Sequence, residues 1–116
     1  MIEKIILDYL NRCITENALG IKAYMERPAE NPSSYVLIEK TGGGEENHIK
    51  NSTLAIQSIG TSLYEAAALN ESIKDFMRAA ISLDSITRVE VNSDYNFTDG
   101  NTKTYRYQAV FDITHY

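Results

Sequence analysis

The stretch Thr61–Ile81, TSLYEAAALNESIKDFMRAAI, decides the fold. It reads as a long helix with strands on both sides. Ser62 and Glu65 stand at the S-x-x-E spacing of a capping box, in which each side chain satisfies a backbone N–H left unpaired at the helix start. Leu63, Ala66, Leu69, Ile73, Phe76, Met77 and Ala80 recur at helical steps and so share one face. Asn70, Lys74, Asp75 and Arg78 fall largely elsewhere. A helix of this kind needs a broad apolar surface to lie on, and the rest of the chain supplies strands for one.

Upstream, residues 2–17 read as a first helix, with Ile2, Ile5, Ile6, Tyr9, Leu10, Cys13 and Ile14 in an apolar stripe. Gly20 is placed to end it with the positive φ of a C-terminal cap. Ile21–Met25 suits a short edge strand, and Arg27–Ser33 is a loop bearing Pro28 and Pro32. Tyr35–Thr41 is the clearest central strand. Gly42–Gly43–Gly44–Glu45–Glu46–Asn47 then interrupts it as a flexible acidic loop, and strand signal resumes over 49–59.

Downstream, residues 86–95 read as a strand with Val89, Val91 and Tyr95 in one phase. Thr98–Asp99–Gly100–Asn101 is a hairpin turn carried by Asp-Gly. In the final strand Tyr105, Tyr107, Ala109, Phe111 and Ile113 face one way, while Thr104, Arg106, Gln108, Asp112 and Thr114 face the other. The order is α–β–β–β–α–β–β. Short links between strands favour an antiparallel β-sheet with two helices packed on one face, an α+β fold forming a single domain over residues 1–116.

Composition narrows the function classes. A net charge of −5, with eleven basic residues scattered along the chain, argues against sequence-specific nucleic-acid binding, which requires clustered Lys and Arg. No apolar run approaches a membrane span, and the opening MIEKIILDYLNRC, with Glu3 and Asp8 inside its pattern, reads as helix rather than signal peptide. Cys13 is the single cysteine, so no intrachain disulfide forms, and its place on the first helix predicts a core thiol.

Motif-like clusters dissolve on inspection. Gly42–Gly44 lacks the G-K-[ST] ending of a phosphate loop and leads into a strand, with Glu45 and Glu46 repelling phosphate. Asp94-x-Asn96-x-Thr98 opens like a calcium loop, but its glycine is one place late and Tyr105 stands where a bidentate Glu is required. His48 and His115 lack partners at metal-ligand spacing, and no nucleophile motif appears, so neither metal, cofactor nor enzyme is expected. Tyr95, Tyr105, Tyr107 and Tyr116 concentrate in the last hairpin, where sheet packing and a protein–protein surface both suit tyrosine.

Tyr35-Val36-Leu37-Ile38-Glu39-Lys40-Thr41-Gly42-Gly43, preceded by a Pro-bearing loop, resembles the strand-and-glycine segment of small phage tail-terminator and tail-completion (head–tail joining) proteins. Leu54-Ala55-Ile56-Gln57-Ser58, Ser62-Leu63-Tyr64-Glu65-Ala66-Ala67 and Tyr105-Arg106-Tyr107-Gln108 are similar to the segments that follow it in that family, and an N-terminal helix is typical there. The resemblance implies a non-enzymatic structural virion protein of a phage or prophage. Such subunits form a ring, commonly a hexamer, that caps the tail tube and offers the surface on which the filled head docks. The implied partners are further copies of the chain, the tail tube protein and a head-completion or connector protein. The implied location is the virion tail, or the host cytoplasm during assembly. Two polar loops are best placed to supply a ring interface: Arg27–Ser33, with Arg27, Glu30 and Asn31, and Gly42–His48, with Gly42, Gly43, Gly44, Glu45, Glu46, Asn47 and His48. The alternatives are a head-completion or connector adaptor and a small-molecule or peptide-binding regulatory domain. An enzyme built on Glu39, His48 or His115 is the remote third.

Overall fold

The capped helix is the second of two. A computed structural model describes residues 1–116, in the order α1 (Ile2–Glu16), β1 (Ala23–Tyr24), β2 (Tyr35–Glu46), β3 (Ile49–Gly60), α2 (Leu63–Ala79, continued by a 3-10 turn at Ala80–Ser82), β4 (Ile86–Asn96) and β5 (Tyr105–His115). The fold is α+β, with the expected α–β–β–β–α–β–β order. The strands form one five-stranded sheet in the order β1-β2-β3-β5-β4. It is mixed rather than antiparallel throughout, because β1 runs parallel to β2 through Ala23↔Val36 and Tyr24↔Leu37. The segment holding Pro28 and Pro32 is long enough to bring the chain back to the same end of the sheet, so β2 need not reverse against β1.

One face of the sheet carries Val36, Ile38, Leu54, Ile56, Ala109, Phe111 and Ile113, all buried. Against them pack Ile2, Ile6, Leu10 and Ile14 of α1 and Leu69, Ile73 and Met77 of α2, in a single apolar cluster. Cys13 is only partly buried at its margin. Tyr9 is buried and donates its hydroxyl to the Phe76 carbonyl at 2.6 Å, joining the helices. That burial, with the Cys13 thiol beside it, pushes its pKa up to about 12.

The ends of the elements depart from the sequence reading in instructive ways. Helix α1 closes at Ala18 rather than Gly20: Ala18 has φ 53°, its N–H reaches Thr15 O at 3.1 Å, and Leu19 N–H reaches Ile14 O at 3.1 Å. That is a Schellman cap formed without glycine at its left-handed position. Gly20, at φ 70°, lies beyond it. The capping box of α2 is half formed. Ser62 Oγ accepts from Glu65 N–H at 3.1 Å, but the Glu65 carboxylate accepts from the hydroxyls of Ser34 and Thr61 instead of returning to Ser62. Leu63, expected on the apolar face, is exposed, whereas Asn70 and Lys74 are buried.

Gly42–Glu46 is not a loop. It continues β2 as a strand, paired with β3 through Gly42↔Thr53, Gly44↔Asn51 and Glu46↔Ile49 after a bulge at Thr41. The reversal is made by Asn47 and His48 alone, both at positive φ (52° and 66°), as a two-residue hairpin loop of the primed type requires. The other hairpin tip moves as well. Asp99 forms a bridge with Thr104, so the chain reverses over Gly100–Lys103 rather than at Asp99–Gly100.

Gly60 ends β3 where α2 begins, and a Cβ built there would stand 2.8 Å from Ala66 N and 3.1 Å from Glu65 Cβ. The first turn of α2 rests directly on that backbone. Gly60→Ala is therefore expected to lower unfolding free energy by about 1–3 kcal/mol, the usual range for overpacking. Urea denaturation checks it, and an unchanged midpoint would show that the turn moves aside at no cost.

Candidate functional site

Sheet geometry places the two candidate loops at opposite ends of the molecule. Tyr35, Ile59 and Tyr105 lie at one end, where α2 starts and where the Arg27–Ser33 loop and the β4–β5 tip converge. The Asn47–His48 turn lies at the other, beside His115 and Ile86. A strand rises about 3.3 Å per residue, so the length of β3 separates them by roughly 36 Å. The longest dimension of the molecule is 44 Å. Arg27, Glu30 and Asn31 therefore do not meet Gly42, Gly43, Gly44, Glu45, Glu46, Asn47 or His48 within one chain.

At the first end, a cleft of about 690 Å³ opens between the Pro-bearing loop and the β4–β5 tip. Tyr35, Ile59 and Tyr105 are the apolar part of its lining, with Tyr35, Ile59 and Arg106 paired on one face of the sheet, and Arg27, Asn31 and Lys103 complete it against a single carboxylate, Asp99. Asn31 takes φ 50° and Lys103 φ 53°, both left-handed turn positions. Arg106 is held in place: its Nε donates to Phe97 O at 2.7 Å and its guanidinium lies 4.7 Å from the Phe97 ring centre. None of Arg27, Lys103 and Arg106 has a carboxylate within 4.0 Å, a condition they share with Arg12, Lys22, Lys40 and Lys50 but not with Lys4, Lys74, Arg78 and Arg88. The Asp99 carboxyl is kept below its usual 3.8, first by the Asn101 N–H, at 2.9 Å, and then by the Thr102 hydroxyl. Glu30 lies outside this cleft, in a hollow of about 480 Å³ on the other side of the same loop, with Tyr24 and Pro28.

Lys103 and Arg106 were not legible as site residues. They reach the cleft only because β5 inserts between β3 and β4, an adjacency that no local pattern encodes. A second polar group lies where α2 meets β4. Asn70 and Lys74 sit one helical turn apart on α2, and both bond Asp94 of β4, Asn70 Nδ2 at 2.6 Å. Asp94 reaches them because a bulge between Val91 and Ser93 reverses the side-chain phase of β4. Tyr95, expected in phase with Val91, thus turns to the open face, where its hydroxyl accepts from Gln108, which in turn accepts from Gln57 at 3.2 Å. The Asp94 hydrogen bond, followed by that of Glu71, raises the Lys74 pKa and keeps it charged. This group ties α2 to the β4 edge; nothing open to a ligand adjoins it.

At the second end, Glu45 and Glu46 flank the Asn47–His48 turn, with Lys50 across from Glu45 and Ile49, 43% exposed, across from Glu46. His115, by contrast, is buried and bonded to Ser52 Oγ at 2.8 Å, far in sequence and role from His48. No group of three or more His, Cys, Asp and Glu is arranged to hold a metal ion, and no helix is long and apolar enough to cross a membrane. No protein-family model matches the chain, and no curated protein matches it.

Glu65 couples the cleft to the fold. Its hydrogen bonds from Ser34, at the end of the Pro-bearing loop, and from Thr61, on the cleft rim, hold its carboxyl below the usual 4.5. A carboxylate with a depressed folded pKa stabilises the native state above its unfolded pKa, and that stabilisation is lost as pH falls through the folded value. Thermal stability is thus expected to decline as pH drops below about 4.5, the ordinary value of the free carboxyl. Glu65→Gln should flatten that acid limb while leaving the neutral-pH side parallel to wild type in calorimetric scans. An unchanged acid slope would show that other carboxyls carry it.

Proposed function

We propose that this chain is a structural subunit that completes a phage tail, closing the tail tube as a ring and forming the surface against which the head joins. The observation that supports this reading is the meeting of the segments that carry the resemblance. Leu37 pairs with Gln57, which pairs with Gln108, and Val36 pairs with Ser58, which pairs with Tyr107, so the three strand segments are neighbours. The Ser62–Ala67 segment starts on Gly60 directly above them. The likeness thus concerns one contiguous half-sheet and the helix that crosses it, rather than separate scraps of sequence. Two dissimilar polar ends on one rigid sheet also suit a head-to-tail interface, which uses a different patch on each partner.

A small-ligand module is less well supported. The 690 Å³ cleft is lined mostly by polar residues and lies at the sheet end, and the helices close on the sheet through the apolar cluster. Mixing the protein with purified tail tube protein and viewing the products by negative stain is the direct test. Ring-shaped caps at tube ends are expected; bare tubes beside monomeric protein would defeat the reading.

The hairpin end is expected to serve assembly rather than folding. Because Gly44 faces Asn51, residues Glu45–Lys50 can be replaced by Asn-Gly without shifting register. The trimmed protein should melt within a few degrees of wild type yet fail to form caps. A matching loss of thermal stability would show that the tip belongs to the fold.

A further inference from the structure

The cleft and the hairpin tip are complementary in three respects. The cleft gathers Arg27, Lys103 and Arg106 against Asp99, whereas the tip offers two carboxylates, Glu45 and Glu46, against Lys50. The apolar part of the cleft lining is Tyr35, Ile59 and Tyr105, of which Tyr35 and Ile59 are each 5% exposed, and the tip exposes one aliphatic side chain, Ile49, across from Glu46. The cations of the cleft have no carboxylate partner inside the chain, and neither Glu45 nor Glu46 has a basic partner within 4.0 Å. The two features also stand at opposite ends of β3, so they cannot satisfy each other within one molecule.

We infer that the cleft receives the β2–β3 hairpin tip of a second copy of this chain, with Glu46 entering between Arg27 on one wall and Lys103 and Arg106 on the other, and Ile49 against the apolar part of the lining supplied by Tyr35, Ile59 and Tyr105. The inference rests on the ring reading above and names its interface. Each copy then gives a tip to one neighbour and a cleft to the other. A contact of this kind is heterologous: it closes into a ring when its rotation divides the circle and otherwise grows into a filament. It also answers a problem of sign. An acidic chain of net charge −5 repels its own copies at long range, and pairing the acidic tip with the basic cleft opposes that repulsion locally.

The test uses the full-length chain in sedimentation velocity across a concentration series, at about 50 mM and about 500 mM salt, since screening shortens with ionic strength. Wild type should associate at low salt and dissociate at high salt. Two variants reverse the charges separately: Glu45→Lys with Glu46→Lys at the tip, and Arg27→Glu with Lys103→Glu in the cleft. All four positions are exposed, and far-UV dichroism and melting curves check that both variants fold. Each alone should associate at least about tenfold more weakly than wild type. Mixed in equal amounts they should associate again, because the basic tip of one meets the acidic cleft of the other. Wild type that stays monomeric at low salt, reversals without effect, or a mixture no better than its parts would each overturn the interface. Tube capping by wild type in the face of such results would leave the ring reading standing with another interface. A short DNA duplex is added as the competing polyanion. If it binds wild type and the tip variant alike, fails with the cleft variant, and leaves self-association unchanged, the cleft serves phosphates and the inference falls.

Discussion

Strand β3 is the constraint on which the rest depends. It is paired along nearly its whole length on both edges, with β2 from Ile49 to Ile59 and with β5 from Lys50 to Gly60. A strand held on both sides cannot slip by one residue without moving Leu54 and Ile56 off the helix-covered face and exposing them. Its two ends therefore become fixed landmarks. At Gly60 the chain has no side chain and turns straight into α2, whose first turn lies on that backbone. At Ile49 the chain has just reversed through Asn47 and His48. The distance between tip and cleft is set by the number of residues in β3, and a rigid sheet keeps it constant.

The apolar skeleton was readable because it depends on period. Ile2, Ile6, Leu10 and Ile14, and likewise Ala66, Leu69, Ile73 and Met77, are buried where three- and four-residue spacing places them. Ala109, Phe111 and Ile113 are buried where alternation places them. What escaped depends on backbone or on distant partners. Gly42–Gly44 looked like a loop because glycine is a poor strand residue, yet ladder bonds to β3 are made by the backbone and need no side chain. Val91 and Tyr95 share a phase only if β4 is regular; the bulge adds a residue and reverses the parity. Asn70 and Lys74 look solvent-facing in sequence because their partner, Asp94, is supplied by a strand whose phase the bulge reverses.

One wall of the candidate site is legible in the sequence and the other is not, for the same physical reason. The Pro-bearing loop announces itself through Pro28 and Pro32, and the glycine-rich, acidic segment through its composition. Lys103 and Arg106 lie in an ordinary polar turn and strand start, and only the insertion of β5 beside β3 carries them across from Arg27. Strand order is a property of the closed sheet, so no window of sequence contains it.

Helix α2 remains the centre of the fold but not of its activity. Its apolar side is committed to the sheet, and its buried polar pair is committed to Asp94. Its remaining link to the cleft is Glu65, which holds Ser34 and Thr61 and so fixes the rim between α2 and the Pro-bearing loop. A rim held by hydroxyl–carboxylate bonds from two segments far apart in sequence presents the cleft in one shape before any partner arrives. An interface that is already shaped loses less conformational entropy on association than one that must order. In a ring this economy applies at every contact, since each copy repeats the same pair of ends.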